Sequence, residues 1–169
     1  DSVELDGLIK SIHNEKDRRE MAVINEKIAY LKSKGFDVVC IDKNSSFGNK
    51  NHMNYIPTNV IDLTGNDSLE ERINQIYHSS FFIGLPSGLS WLAWSIGKPV
   101  IMISGFSHPK SEFITPYRVF NDSVCNSCWN DKEITHGNKP WEWCPRDKNF
   151  ECSVEITPDM VIEKINQLI

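Results

Sequence analysis

The sequence predicts an α/β domain with a mostly parallel sheet, because short apolar runs alternate with amphipathic helical segments. The clearest example is the stretch 80–105, which reads as strand, tight turn, helix and strand. Phe81–Ile83 and Val100–Ile103 are apolar runs of strand length. Between them, one helical face is formed by Leu89, Leu92, Ala93 and Ile96. Two strands and a helix this close together predict a parallel unit with a right-handed crossover.

The segments before residue 64 continue the alternation of helices and strands. Residues 17–34 are predicted to form a helix that ends at Gly35, because a left-handed cap position favours glycine. The apolar stripe of this helix consists of Met21, Ile24, Ile28 and Leu31. We expect a buried strand over 37–42, a polar loop over 43–57 and another strand over 60–63.

Two further helices and a long loop complete the expected architecture. Ser68, with Glu71 three residues later, has the capping-box spacing and predicts a helix over 69–78. Its buried face would consist of Leu69, Ile73 and Ile76. Residues 104–124 read as a loop, and a final helix over 157–169 has proline at its first position. The apolar residues of this last helix are Met160, Ile162, Ile165 and Leu168.

The turn after residue 84 is a candidate phosphate-binding site. It lies at the amino end of a helix, where backbone N–H groups are free and carry a partial positive charge. Ser87 and Ser90 add hydroxyls, and Gly88 lets a ligand approach the backbone closely. The alternative is that Ser87 is only an N-cap and Gly88 only a turn residue. The stretch matches neither of the common glycine-rich nucleotide fingerprints.

Other polar residues are expected at the carboxyl edge of the sheet, where ligands bind in such folds. Asp62 and Thr64 could meet a ribose or a base edge there, but both residue types commonly stabilise turns, which is the interpretation we favour. The loop after the last strand adds His108, Lys110 and Glu112 as candidates for ligand contacts. Each of these three, taken alone, is more typical of a solvated loop.

Composition narrows the range of partners. The chain has 169 residues, enough for one domain with a sizeable core, and a net charge of −5. Without a long basic run, double-stranded nucleic acid is not an expected partner. No secretory signal starts the sequence, and no apolar run approaches the length of a membrane span. If this is the natural N terminus, these features predict a cytosolic protein.

Four of the five cysteines cluster in the last third of the chain, at Cys125, Cys128, Cys144 and Cys152. Four thiolates form a closed tetrahedral site, the usual arrangement for structural zinc or a single iron. The alternatives are a redox pair in the CxxC motif, four unrelated thiols, or two disulfides, which fit poorly with a chain that lacks a secretory signal. With every position filled by protein, the metal would be structural rather than catalytic.

Several long motifs resemble those of one protein family. They are Phe82–Trp94, Ile103–Phe106, Glu112-Phe113, Thr115–Val119, Cys125–Asn130 and Trp143–Arg146. On these motifs the chain resembles the bacterial autotransporter heptosyltransferases, protein O-glycosyltransferases related to the lipopolysaccharide heptosyltransferases. The resemblance covers most of the chain from about residue 20 onward.

The resemblance implies a GT-B fold with two Rossmann-like domains, of which this chain would be the C-terminal, donor-binding one. The family transfers heptose from ADP-heptose to serine hydroxyls of autotransporter adhesins in the bacterial cytosol. The resemblance places the donor-site turn at Ser87, Gly88, Leu89 and Ser90, and it implies iron on the four clustered cysteines, with zinc as the alternative. Pro86 departs from the serine expected before this turn.

The expected division is a nucleotide-sugar-binding domain over 1–124 that lacks its first strand, a metal finger over 125–152, and a helix over 153–169 that packs back on the domain. The acceptor domain that would supply the catalytic base is missing, so no catalytic residue is assigned and the chain alone is predicted not to transfer sugar. Homo-oligomer formation stays open. The main competing interpretation is a metal-stabilised interaction module with a vestigial nucleotide site. A nucleic-acid-binding ribbon fits the acidic composition poorly.

Overall fold

The computed structural model describes residues 15–49, 52–135 and 144–169. The chain divides into two compact units, one ending at Asp67 and the other spanning Ser68–Ile169. The prediction that the first strand of the sheet is missing concerns residues outside the described ranges. The expected boundaries near residues 124 and 152 both fall inside the second unit.

The described part of the first unit contains the helix α1, Glu15–Ser33, and after it four short strands. Strand β1, Val39–Cys40, pairs in parallel with β4, Ile61–Asp62, with Val39 opposite Ile61. Gly35 has a φ of 85°, the left-handed cap expected after the helix. The expectation of a buried strand is wrong for Val39, which is 42% exposed, because the sheet of the described residues has only two strands here and leaves this side chain uncovered.

A β-hairpin occupies most of the predicted polar loop over 43–57. Strand β2, Ser46–Asn49, pairs with β3, His52–Tyr55, in an antiparallel ladder in which Ser46 lies opposite Tyr55. The loop prediction is therefore wrong for these eight strand residues. Between the two strands the sequence has Lys50-Asn51 and not the Asn-Gly or Asp-Gly pair that most strongly indicates a two-residue hairpin, so its polar composition predicted a loop.

The second unit contains a three-stranded parallel sheet in the order β5-β6-β7. Strand β5 is Phe82–Gly84, β6 is Val100–Ile103, and helix α3, Gly88–Ser95, connects them. The predicted strand–helix–strand unit is confirmed, with Phe82 opposite Val100. Strand β7, Arg118–Val119, lies within the stretch predicted as a loop, so that prediction is corrected: the two residues pair with β6, a contact that their local sequence does not indicate.

The core of the second unit lies around β6. Its fully buried apolar residues are Ile76, Ala93, Val100, Ile101, Met102, Val119, Val161 and Ile165. They come from β6, β7, α3, helix α2, Leu69–Tyr77, and a C-terminal helix, Pro158–Asn166, that packs on β6 and β7. The predicted buried faces of α2 and of the C-terminal helix need correction. Leu69 is 66% exposed, and Val161 rather than Met160 is fully buried, because sheet contacts select a narrower face than the apolar pattern suggests.

The predicted N-cap at Ser68 agrees with the structure, whereas the final helix ends at Asn166 and not at Ile169. The Ser68 hydroxyl accepts a hydrogen bond of 3.1 Å from the backbone N–H of Glu71, which confirms the N-cap of α2. Gly97, after α3, has a φ of 77°. Among its described residues, the cysteine-rich stretch contains a 3₁₀ turn at Cys128–Asn130 and the helix α4 at Glu151–Val154, so the C-terminal helix is α5. Within the described ranges, no helix is long and apolar enough to cross a membrane.

Candidate functional site

The turn between β5 and α3 leaves the Ser87 side chain on the surface. Ser87 is the N-cap residue of α3, with extended backbone angles, yet its side chain makes no capping hydrogen bond. Its backbone N–H donates to the Leu85 carbonyl at 2.7 Å, and its carbonyl accepts from Trp91 N–H at 3.1 Å. The alternative in which Ser87 acts only as a side-chain cap therefore lacks its hydrogen bond. Ser87 immediately precedes the first turn of α3, whose N–H groups have no acceptor within the helix.

Ser90 supports this turn from inside the protein. Its side chain is fully buried, and its hydroxyl donates to the Leu85 carbonyl at 2.5 Å. Gly84 makes room for this contact, because a Cβ there would lie 2.8 Å from Ser90 Oγ and 2.5 Å from the Phe82 ring. The role of Gly84 in making room for Ser90 is not predicted from the sequence, although a glycine at the end of a strand is a signal of close approach.

Gly88 lies at an exposed position with free space around it, in contrast to the buried Ser90. No atom lies within 4 Å of the position that a Cβ at Gly88 would occupy, so the amino end of α3 is accessible to a ligand. Leu89, the other predicted donor contact, is half-buried. An open apolar groove of about 580 Å³ begins at this turn. It is lined by Leu69, Gly88, Leu89, Trp91, Leu92, Trp94 and Ser95.

Two tryptophans line the groove and pack against Phe113. The Trp94 ring stacks on Phe113 with centroids 5.3 Å apart, and Trp91 packs edge-on against Phe113 at 5.1 Å. Trp91 and Trp94 nevertheless keep 42% and 47% of their surface exposed. Their ring contacts restrict the side chains while leaving an aromatic surface next to the turn between β5 and α3.

Asp62 and Thr64, in the first unit, form a local turn. One carboxylate oxygen of Asp62 accepts hydrogen bonds from the Thr64 hydroxyl at 2.7 Å and the Thr64 N–H at 2.8 Å. These two bonds, the hydroxyl first, lower the pKa of Asp62 below its ordinary value. The turn-stabilising role favoured from the sequence is thus observed, and ligand contact by these residues stays a prediction.

The loop after β6 uses its polar side chains internally. Glu112 is buried and forms an ion pair with Arg118, and it also accepts a hydrogen bond from the Ser107 hydroxyl. Arg118 donates as well to the Phe113 carbonyl at 2.8 Å. His108 Nδ1 accepts from the Lys110 N–H at 3.0 Å. We conclude that Glu112 and His108 organise the loop, and that ligand contact by these residues or by Lys110 stays a prediction.

The CxxC turn is anchored on the segment that follows β6. Ser127 has a φ of 62°, a left-handed conformation between the two thiols of Cys125 and Cys128. Its N–H donates to the Gly105 carbonyl at 2.8 Å. A Cβ at Gly105 would collide with the Cys152 backbone, so glycine lets the two segments pack directly together.

Electrostatic contacts connect the four clustered thiols. Burial, followed by the neighbouring Cys125, raises the pKa of Cys128 to about 11. Burial also raises the pKa of Cys152, and its neighbours Cys144 and Cys125 add to the shift. The Lys148 N–H donates to Cys144 Sγ at 3.3 Å. None of the five cysteines forms a disulfide, so the disulfide alternative is not observed.

A formed metal centre is not observed. Among residues 15–49, 52–135 and 144–169, no group of three or more His, Cys, Asp or Glu side chains is arranged to hold a metal ion. The thiols are neighbours without converging on one point. The donor set itself fits a structural metal, since four thiols lie in one segment and a backbone N–H already donates to one sulfur.

Comparison with known sequences places residues 26–142 within the profile of glycosyltransferase family 9 (heptosyltransferase). The chain is 50% identical over 148 residues to the autotransporter heptosyltransferases BAHTCr of Citrobacter rodentium and TibC of Escherichia coli O78:H11. It is 36% identical over 143 residues to BimC of Burkholderia thailandensis, which is named an inactive autotransporter heptosyltransferase. The first two alignments each cover 85% of this chain, which spans 36% of those relatives.

A solved structure agrees with the sequence comparison. The fold matches dodecameric, iron-containing TibC in complex with ADP-D-β-D-heptose, with a TM-score of 0.81 and 50% identity. The match covers 85% of this chain and 39% of the TibC chain. The described fold is therefore that of one part of a larger glycosyltransferase of known structure.

Proposed function

Because the chain belongs to glycosyltransferase family 9, the heptosyltransferases, we propose that it is the donor-binding part of an autotransporter heptosyltransferase. The observation that carries this proposal is the turn before α3. The Ser87 hydroxyl makes no capping hydrogen bond, and the space above Gly88 is open at the amino end of a helix. A relative with 50% identity and the same fold has ADP-D-β-D-heptose bound, which supports an ADP-sugar as the donor.

The turn offers the chemistry that a leaving nucleoside diphosphate requires. Backbone N–H groups at the start of α3 and the Ser87 hydroxyl can donate to phosphate oxygens, and the helix end favours the negative charge. That charge grows as the bond to the sugar breaks, so these donors stabilise the transition state. The serine acceptor also needs a general base, which we place outside this chain. We therefore expect no sugar transfer by these 169 residues alone.

We also propose that Cys125, Cys128, Cys144 and Cys152 hold one structural iron ion, within a finger over 125–152. The clustering of four cysteines in one segment supports this, as does the iron-containing relative. When bound, the ion would cross-link a segment with little regular secondary structure. Because four thiolates leave no open position, the chemistry of sugar transfer is assigned to the turn and not to the ion. Zinc is the alternative ion for the same ligands.

The relatives suggest the wider setting of the protein. We propose serine hydroxyls of an autotransporter adhesin as acceptors and the bacterial cytoplasm as the location; the relatives' names, autotransporter heptosyltransferases, support an autotransporter as the acceptor protein. The relative TibC is dodecameric, so self-association is part of the proposal. The chain spans only 36% of these relatives, and the acceptor would be bound by parts of the protein beyond it.

Calorimetric titration of the intact protein with ADP-heptose tests the donor proposal, with GDP- and UDP-sugars as controls. We expect selective micromolar binding that Ser87→Ala weakens. The matched control is Ser33→Ala, at the end of α1 and outside the groove lining, where the hydroxyl donates to the Tyr30 carbonyl at 2.7 Å. Equal weakening by both variants, or no binding by a folded and metal-loaded protein, would contradict the proposal.

One observation favours a second function. BimC, 36% identical to this chain, is named inactive, so a chain of this fold can persist without transferase activity. The corresponding candidate here is a metal-stabilised interaction module with a vestigial nucleotide site. It predicts a folded, metal-loaded protein that binds none of the tested nucleotide sugars, which is the outcome that excludes the donor proposal.

A further inference from the structure

We infer that Arg146 is a positioning residue for the proposed metal site: held by Asp131, its guanidinium orients the Cys125 sulfur and offsets the negative charge of the thiolates. The inference rests on the proposed four-cysteine site and adds a residue that is not one of its ligands. It concerns how tightly the ion is held and not the chemistry of sugar transfer.

The geometry fixes the guanidinium against one sulfur. Arg146 Nη1 lies 3.9 Å from Cys125 Sγ, within the range of a hydrogen bond to sulfur. The other terminal nitrogen, Nη2, forms an ion pair with Asp131 Oδ2. Asp131 is itself held in place, since its second oxygen accepts from the Glu133 N–H at 2.9 Å. The guanidinium thus contacts the Asp131 carboxylate through one terminal nitrogen and the Cys125 sulfur through the other.

The charge balance around the thiols explains why a cation is needed here. Four thiolates outnumber the positive charges of a divalent or trivalent ion, so the occupied site carries excess negative charge. Glu151 adds to it, because its carboxylate accepts from the Cys125 N–H at 3.2 Å. Arg146 attracts both Cys125 and Cys128 electrostatically, and it faces the side of the cluster that these two residues form.

The contact lies near the surface. The Arg146 side chain is 43% exposed and Asp131 is 21% exposed, so water and salt screen the ion pair, and the two-point geometry rather than burial holds the guanidinium in place. A planar guanidinium can contact the carboxylate and the sulfur at the same time through separate nitrogens. Residues that hydrogen-bond to metal ligands typically change metal affinity by about 10- to 100-fold when they are mutated.

Release of the ion from the metal-loaded intact protein to a competing chelator tests the inference. We expect Arg146→Met to accelerate release about tenfold, and Arg146→Lys to restore part of the difference. Lys148→Met is the matched control, since it removes the same charge two residues away and keeps the backbone N–H that donates to Cys144. Equal release rates for Arg146→Met and Lys148→Met would overturn the inference.

A second measurement separates charge from folding. With iron bound, Arg146→Met should lower the reduction potential, because removing a cation disfavours the more negative reduced state. Asp131→Asn keeps the guanidinium but frees it, and should release iron at an intermediate rate even if Arg146→Met folds poorly. An unchanged potential in both variants contradicts the inference. A native protein that binds neither iron nor zinc would instead refute the proposed metal site.

Discussion

The turn after β4 and the turn after β5 have similar polar residues, but their side chains are engaged differently. In the first, the Asp62 carboxylate accepts two hydrogen bonds from Thr64, of 2.7 and 2.8 Å. In the second, Ser87 makes no capping bond although it precedes a helix. A polar residue at the end of a strand therefore indicates a ligand only when the local turn leaves its side chain available.

The difference arises from which residue supports each turn. Asp62 stabilises its own turn, because a short carboxylate readily reaches the N–H group two residues later. The turn after β5 is supported by Ser90, which is buried and bonded to the Leu85 carbonyl. The Ser87 side chain therefore contributes no hydrogen bond that stabilises the turn. Four experiments examine this division of roles, in order of decreasing expected effect.

The largest expected effect is on stability and concerns two glycines of the second turn. Gly84→Ala should lower the free energy of unfolding by about 1–3 kcal/mol, because the added methyl group meets Ser90 and Phe82. Gly88→Ala should leave it unchanged or raise it, since alanine fits open helical positions better than glycine. Urea unfolding of the intact protein measures both. Equal stability of the two variants would show that Gly84 is not tightly packed.

The next effect is on donor affinity. Gly88→Ala should weaken ADP-heptose binding about tenfold, or about 1.4 kcal/mol, because the methyl group occupies the space through which the diphosphate approaches the helix end. Titration calorimetry measures the change, and the unfolding experiment confirms that the variant is folded. Native affinity in Gly88→Ala would place the diphosphate elsewhere.

A smaller difference is expected between two serines that precede helices. Ser68→Ala should cost about 1 kcal/mol of stability, because it removes the capping bond to the Glu71 N–H. Ser87→Ala should cost little, since its hydroxyl makes no such bond. Thermal or urea unfolding compares them. A loss in Ser87→Ala as large as that in Ser68→Ala would assign Ser87 to structure and not to the ligand.

The smallest effect concerns the protonation of Asp62. Thr64→Val should raise the pKa of Asp62 toward its ordinary value, because the Thr64 hydroxyl is the main cause of the depression. A depressed folded-state pKa adds stability at neutral pH that is lost as the pH falls through it, so this variant should be less sensitive to acid. Carboxyl NMR titration follows Asp62 directly.

Thr58→Val is the control for this titration. It removes a hydroxyl in the same unit that bonds to Asn25 at 3.2 Å and not to Asp62. It should therefore leave the pKa of Asp62 unchanged. If Thr58→Val and Thr64→Val shift that pKa equally, the depression is not due to the local turn.

The sequence by itself determined the features that depend on a few neighbouring residues. The cap at Ser68, the left-handed glycine at position 35 and the β5–α3–β6 unit all follow from local patterns and are observed. Family membership also followed from contiguous motifs and is confirmed by the matched profile. Such features need no knowledge of distant contacts, because their hydrogen bonds close within a helical turn or across one short crossover.

Only the tertiary structure decided which groups are buried or paired across the chain. It includes β7 as a third strand, has a hairpin where the sequence predicts a polar loop, and leaves Leu69 exposed while Ser90 is buried. It also paired Arg146 with Asp131 beside Cys125. Strand pairing and burial depend on segments far apart in sequence, and residue type alone does not specify which partner satisfies a backbone or a charge.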